Sequence, residues 1–227
     1  MSNLKLSILI PAFNEEGRIF NVINDCKKYF KYIAVVNDGS TDKTALEIEK
    51  GSPSVVLNHS INCGNGTALS TGLKYFLSQT NAQYLVTLDG DTQHSAEDAY
   101  KMIEYASKNM LEAVFGSRFL IKSQTNRIPK YRKFMLHIAR FFERTFYGIK
   151  LTDAHNGLKV LSRRACIELK HLQSSSMAHC TEVPLILNKK SIEIVEYPIH
   201  VNYAVKNKKS QPILNSLNIV SDLLQRK

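Results

Sequence analysis

Four times in its first hundred residues the chain runs from a short apolar segment straight into a cluster of polar, turn-forming residues. Leu6-Ser7-Ile8-Leu9-Ile10 is stopped by Pro11 and followed by Ala12-Phe13-Asn14-Glu15-Glu16; Tyr32-Ile33-Ala34-Val35-Val36 ends at Asn37-Asp38-Gly39-Ser40. Val55-Val56-Leu57 leads to Asn62-Cys63-Gly64-Asn65-Gly66, and Tyr84-Leu85-Val86-Thr87-Leu88 ends at Asp89-Gly90-Asp91-Thr92-Gln93-His94. Uninterrupted apolar runs of this length suit parallel strands covered on both faces. Helix-patterned sequence fills the gaps, as in Ile19, Val22, Ile23, Cys26 and Phe30, and in Gly66–Leu77, while Thr41-Asp42 marks a helix start. The expectation is an α/β fold with a mostly parallel central sheet flanked by helices. In such a sheet ligands bind outside the carboxyl ends of the strands, where all four polar clusters fall.

Beyond Asp98 the pattern loosens. A helix over Ala96–Lys108 precedes a strand at Ala113-Val114-Phe115, which ends at Gly116-Ser117-Arg118. Ser191–Tyr203 reads as two short strands around Pro198, and Asn215–Leu224 as a closing helix. No repeat or linker divides the 227 residues, so one domain is expected over 1–227, its first half (1–118) facing one ligand and its second (119–227) another.

The net charge of +10 is local. Between Arg118 and Lys170 stand thirteen Lys and Arg against Glu143, Asp153 and Glu168, an excess equal to that of the whole chain. Such a field draws polyanions: nucleic acid, an anionic membrane or a phosphorylated substrate. Within it, residues 128–149 set Tyr131, Phe134, Met135, Ile138, Phe141, Phe142 and Phe146 at near-helical spacing among Lys130, Arg132, Lys133, Arg140 and Arg144. That amphipathic pattern fits a helix lying in an anionic interface, and equally one whose apolar face is in the core. Cys26, Cys63, Cys166 and Cys180 are scattered without ligand-like spacing, which argues for free thiols in a reducing compartment and against disulfides or structural zinc. The N-terminus lacks a signal-peptide pattern and no apolar run is long enough to span a bilayer, so a cytoplasmic protein, soluble or peripheral, is expected.

Asp89-Gly90-Asp91 carries the chemistry. Carboxylates one residue apart point to opposite sides of a strand, but at a turn containing Gly90 both can reach one cation. Hard oxygen ligands suit Mg²⁺ or Mn²⁺ bridging substrate phosphates, with the Gln93 amide oxygen as a further ligand. Gly64-x-Gly66 begins like a dinucleotide fingerprint, but Leu69 stands where the third small residue belongs, against a Rossmann oxidoreductase.

Ile10–Glu16, Val36–Asp42, Asp89–His94 and Gly116-Ser117-Arg118 together resemble the motif series of family 2 glycosyltransferases, nearest the polyprenyl-phosphate (dolichyl-phosphate mannosyltransferase-like) branch. The likeness continues through Asp153–Lys159, Glu182, Glu196-Tyr197-Pro198-Ile199 and Lys206–Ser210. It implies a GT-A (nucleotide-diphospho-sugar transferase) fold. It also implies that Pro11, Phe13, Glu15, Val36 and Asp38 contact the donor base and ribose, Asp38 through a base edge. Asp89, Asp91 and Gln93 would hold the metal on the diphosphate, Gly90 between them would lie against the donor, and Arg118 and a lysine at Lys206–Lys209 would neutralise phosphate. The chain departs from the family at Asn65, where a lysine is usual; the neighbouring glycines still permit close backbone approach to a ligand.

The implied reaction is inverting transfer from a nucleoside-diphosphate sugar. The leaving diphosphate gains charge, which the metal and Arg118 stabilise. A polyprenyl (undecaprenyl or dolichyl) phosphate is already anionic and needs no general base, whereas a hydroxyl on a lipid-linked or cell-surface glycan does. Asp153 and Glu182 are the candidate bases; structurally, Asp153 would instead cap a helix or pair with Arg163, and Glu182 would pair with a lysine. A nucleic-acid-binding module fits the sequence pI near 9.4 but has no recognisable motif, so nucleic acid is not expected as a partner.

Overall fold

The computed structural model describes residues 7–122, 137–138, 140–141, 144–145, 148–153, 156–174 and 178–202. Within them run β1 (Ser7–Ala12), α1 (Ile19–Cys26), β2 (Tyr32–Asn37), α2 (Thr44–Gly51), β3 (Val55–Asn58), α3 (Asn65–Gln79), β4 (Tyr84–Thr87), α4 (Ala96–Lys108) and β5 (Ala113–Ser117). A short 3₁₀ turn at Arg118–Leu120, β6 (Lys159–Ser162), α5 (Arg163–Leu169), α6 (His179–Lys189) and β7 (Ile194–Pro198) follow.

The seven strands form one sheet in the order β3-β2-β1-β4-β6-β5-β7. β1, β2, β3 and β4 pair in parallel, as do β5 and β7; β6 is antiparallel to both its neighbours. The mostly parallel sheet is therefore interrupted by one reversed strand that the sequence pattern did not reveal. The strand expected after Pro198 is absent among the described residues, although Ile199 N still donates to Ser117 O at 3.2 Å.

Alternation along the strands feeds two apolar layers. Ile8, Ile10, Ile33, Val35 and Val86 face α1, α2 and α4 through Ile19, Ile23, Ile48, Met102 and Ile103. Leu9, Ala34, Val36, Leu85, Phe115 and Leu161 face α3, α5 and α6 through Leu73, Phe76, Cys166, Leu169, Val183 and Leu187. α4 begins where its sequence says it should: Ser95 caps it by accepting from Asp98 N at 3.0 Å, with Glu97 and Asp98 in the first turn. α2 begins at Thr44, after the Thr41-Asp42 start read from sequence, with Asp42 Oδ1 accepting from Thr44 N at 3.0 Å. The closing helix expected at Asn215–Leu224 and most of the 128–149 segment lie outside the described residues.

Candidate functional site

The loops that leave β1, β2, β3 and β4 meet at one edge of the sheet. After β1, Asn14 adopts φ 53° and ties itself to the β2 loop: its backbone N donates to Ser40 Oγ at 3.0 Å and its Oδ1 accepts from Thr41 N at 2.8 Å. Glu15 N donates to Thr44 Oγ1 at 2.7 Å. The Glu15 carboxylate pairs with Arg18 at 2.6 Å, and its Cγ lies 3.5 Å from where a Cβ on Gly90 would stand. Pro11, Phe13 and Glu15 are each half-buried, so the β1 loop presents surface beside the β4 tip.

Val36 is not part of that surface. Its side chain is fully buried in the layer under α3, because alternation along β2 sends Ala34 and Val36 to one face and Ile33 and Val35 to the other.

Asp38 sits at the β2 tip, 2 % exposed, and its two oxygens receive three groups of the chain itself. Oδ1 accepts from Cys63 N at 2.9 Å and faces His59 Nδ1 at 2.6 Å; Oδ2 accepts from Gly64 N at 2.8 Å. Gly39, at φ +66°, lets this loop approach: a Cβ there would fall 2.6 Å from Ile61 O. Asp38 therefore fixes the loop leading into α3, a role not read from sequence. Gly66 likewise packs closely on the protein, for a Cβ on it would clash with the backbone of Ser174.

Asp89 and Asp91 follow β4. Asp91 Oδ1 accepts from Gln93 N at 3.0 Å, closing a tight turn in which Thr92 adopts φ 63°. Gln93 is nearly buried and its carbonyl accepts from Asn202 N at 2.9 Å. Burial, then the neighbouring Asp91 charge, push the Asp89 carboxyl up to about 6; Cys180 adds to the rise, while Lys159 and His179 oppose it. Asp89 and Asp91 are the two residues here that could hold a divalent cation, which would remove their repulsion and replace the hydration that Asp89 loses on burial. Gly157 packs directly on the Asp89 carboxylate, where a Cβ would overlap both oxygens.

Lys159 was not singled out from sequence. It is 3 % exposed on β6, donates from Nζ to Asn156 O and stands 5.4 Å over the Phe115 ring. Its only sequence signal was its place in the Asp153–Lys159 motif. It supplies a buried positive charge toward Asp89 on a chain that has Asn65 where a lysine is usual.

Arg118 and Asp153 find each other across 35 residues. Arg118 Nε donates to Asp153 Oδ2 at 2.6 Å and Arg118 N to the same oxygen at 3.1 Å, with side chains 4 % and 0 % exposed. Glu196 on β7 holds the adjoining turn by accepting at Oε1 from Thr152 N, Thr152 Oγ1 and Asp153 N at 2.8, 2.8 and 3.0 Å. Asp153 neither caps a helix nor pairs with Arg163, which donates to the carbonyls of Leu77 and Thr80. Glu182, in the first turn of α6, accepts from Gln173 N at 2.9 Å and Ser174 N at 2.8 Å. Both carboxylates expected as bases are thus engaged in holding backbone or a buried cation. Lys206, and the Lys206–Lys209 stretch, lie outside the described residues.

The order of strands, with one reversed strand in a parallel sheet and an acidic turn at its edge, defines a GT-A nucleotide-sugar transferase fold. The crystal structure of glucosyl-3-phosphoglycerate synthase from Mycobacterium tuberculosis with UDP superposes at TM-score 0.74, 17 % identity, over 99 % of this chain and 80 % of that one. The same enzyme with Mn²⁺, UDP and glucosyl-3-phosphoglycerate gives 0.70 at 16 % identity, again over 99 % and 80 %.

Residues 7–170 match the profile of glycosyl transferase family 2, and the chain belongs to that family and is a glycosyltransferase. UDP-N-acetylglucosamine–dolichyl-phosphate N-acetylglucosaminyltransferase of Methanococcus voltae is 30 % identical over 221 residues, covering 89 % of this chain and 88 % of its own. Dolichyl-phosphate beta-glucosyltransferase ALG5A of Trichomonas vaginalis is 25 % identical over 246 residues, covering 99 % and 73 %. No helix among the described residues is long and apolar enough to cross a membrane.

Proposed function

We propose that the chain is a metal-dependent, inverting glycosyltransferase that moves a sugar from a nucleoside-diphosphate sugar to a polyprenyl phosphate. The observation that carries this reading is the Asp89–Asp91 turn, where an acid pair with one carboxyl pushed up to about 6 sits at the ligand-binding edge of the sheet. Asp89 and Asp91, with Gln93 adjoining, would hold Mg²⁺ or Mn²⁺. When bound, the ion supplies charge neutralisation to the departing diphosphate. Pro11, Phe13 and Glu15 offer the half-buried surface for the donor. Lys159 offsets the acid charge from within, and the Arg118–Asp153 pair fixes the turn behind it.

The engagement of these carboxylates supports the lipid-phosphate acceptor. A sugar hydroxyl needs a base, yet the Asp153 side chain has no exposed surface and both Glu182 oxygens hold backbone amides. A lipid phosphate arrives already ionised and attacks the anomeric carbon without one. Two matched relatives carry dolichyl phosphate in their names. Ile138 and Phe141, 47 % and 71 % exposed beside Arg140 and Arg144, suit a peripheral anionic membrane surface at the cytoplasmic face.

Purified enzyme with Mn²⁺ and a panel of UDP-sugars should label undecaprenyl or dolichyl phosphate, and Asp91→Ala should abolish labelling while keeping the unfolding transition. Transfer to a glycan hydroxyl alone would replace the acceptor; full activity in chelator would remove the metal.

A further inference from the structure

We propose that Asp38, His59 and Cys63 form a second metal site, selective for a thiophilic cation of the Zn²⁺ class and separate from the Asp89–Asp91 turn. The site does not depend on the donor and acceptor reading above. One ligand atom from each of the three residues lies within 4.8 Å of the other two. A tetrahedral zinc bound at about 2.0–2.3 Å sets its ligand atoms roughly 3.3–3.8 Å apart, so His59 Nδ1 and Asp38 Oδ1, 2.6 Å apart in the metal-free chain, must separate to admit the ion between them.

Three features show a site already built around its ligands. The Asp38 carboxylate is oriented by the backbone amides of Cys63 and Gly64, at 2.9 and 2.8 Å, which would remain while Oδ1 met the ion. The His59 ring is pinned at its far nitrogen, Nε2, by Thr71 Oγ1 of α3 at 3.0 Å. A ligating histidine whose second nitrogen is held in this way keeps its tautomer and orientation. Cys63 is half-exposed, and its Sγ donates to Ile61 O at 3.4 Å, a weak thiol hydrogen bond that a metal–thiolate bond would replace.

The proton balance is explicit. In the metal-free protein a proton lies between His59 Nδ1 and Asp38 Oδ1, 2.6 Å apart. On binding, the Cys63 thiol proton leaves to solvent and the imidazole proton passes from Nδ1 to Nε2 by way of solvent, so that Nδ1 and the thiolate take the ion and Nε2–H donates to Thr71. A hydroxyl serves as acceptor there as readily as donor. Thiolate and imidazole favour Zn²⁺ over Mg²⁺ or Mn²⁺, which sorts the two sites by ligand softness. The bound ion would clamp the β2 tip, the end of β3 and the start of α3. The spacing His59-x-x-x-Cys63 was its one local signal; the third ligand, 21 residues earlier, was not legible as a partner.

The test titrates the metal-free full chain with Co²⁺. One thiolate-to-cobalt charge-transfer band per chain is expected, displaced by Zn²⁺, retained when Asp89 and Asp91 are both changed to Asn, and lost in Cys63→Ser. Zn²⁺ should also slow alkylation of Cys63 by iodoacetamide in the unmutated protein at least tenfold. Absence of the band, its survival in Cys63→Ser, or an unchanged alkylation rate would each overturn the site. Loss of the band in the Asp89/Asp91 variant would assign the bound ion to the diphosphate site instead.

Discussion

Gly157 stands so close behind Asp89 that a Cβ on it would lie 2.7 Å from Oδ1 and closer still to Oδ2. The backbone there is held from the sheet, since Thr87 Oγ1 donates to Gly157 O at 2.9 Å. The wall that aims the Asp89 carboxylate is thus main chain from a segment 68 residues away in sequence.

Gly157→Ala should therefore act on the metal site and not on the fold at large. The methyl group has no space unless the carboxylate turns aside, and a misaimed ligand costs on the order of tenfold or more in metal affinity. We expect Mn²⁺ affinity, read by calorimetry, to fall at least that far and donor turnover to fall with it. Unchanged affinity would mean the segment yields, and that Asp89 is not held by it.

The raised Asp89 carboxyl predicts a pH dependence with a definite sign. Its value of about 6 in the folded chain exceeds the ordinary 3.8, so the fold favours the protonated acid. Its contribution to stability is fully present below pH 3.8 and is lost as pH rises through 6. Metal must displace that proton, so Mn²⁺ affinity should rise about tenfold per pH unit below 6 and level above it. Metal-free protein should lose stability across this window, and saturating Mn²⁺ should cancel the loss. Melting temperatures with and without Mn²⁺ from pH 4 to 7 decide it; parallel curves would place the acid pair outside the metal site.

The Arg118–Asp153 pair makes a different prediction from a catalytic base. Both side chains are buried, and Asp153 Oδ2 takes the guanidinium and the backbone amide of Arg118 together. Asp153→Asn leaves a buried cation without its counter-charge and should destabilise by about 3–5 kcal/mol in urea unfolding. A general base would instead be lost with little change in stability.

How much of this was legible follows from the range over which each signal acts. β1 to β5 and α4 came through because apolar runs, Gly, Ser95 and the acids of the first turn specify them locally. β6 did not, since its four residues begin with a buried lysine and reverse direction, and only tertiary pairing with Thr87 and Phe115 makes them a strand. The Asp89-Gly90-Asp91 turn was legible as chemistry because its parts are adjacent. The face that Val36 takes was not legible, because an unbroken apolar run does not say which side of the sheet each residue meets. Asp153 with Arg118, Glu196 with Thr152, and Gly157 behind Asp89 are contacts between distant segments, and residue type alone does not choose such partners.

The exposed apolar side chains near Arg140 carry the last prediction. Phe141 and Ile138 are 71 % and 47 % exposed, while Arg140 lies 5.5 Å over the Phe119 ring, keeping its charge beside an apolar surface. Water is a poor solvent for such a group, whereas a bilayer interface takes up the rings and its anionic headgroups the guanidinium groups. Removing most of the Phe141 side chain forfeits roughly 1–2 kcal/mol of apolar transfer, on the order of tenfold in partitioning. Phe141→Ala should therefore lower binding to phosphatidylglycerol-containing vesicles about tenfold at any ionic strength. Arg140→Glu should weaken binding strongly at low salt and little at high salt, because the charge term is screened within about 10 Å at 0.1 M. A salt-independent Arg140→Glu, or a Phe141→Ala that binds as the parent does, would show that this surface meets something other than an anionic membrane.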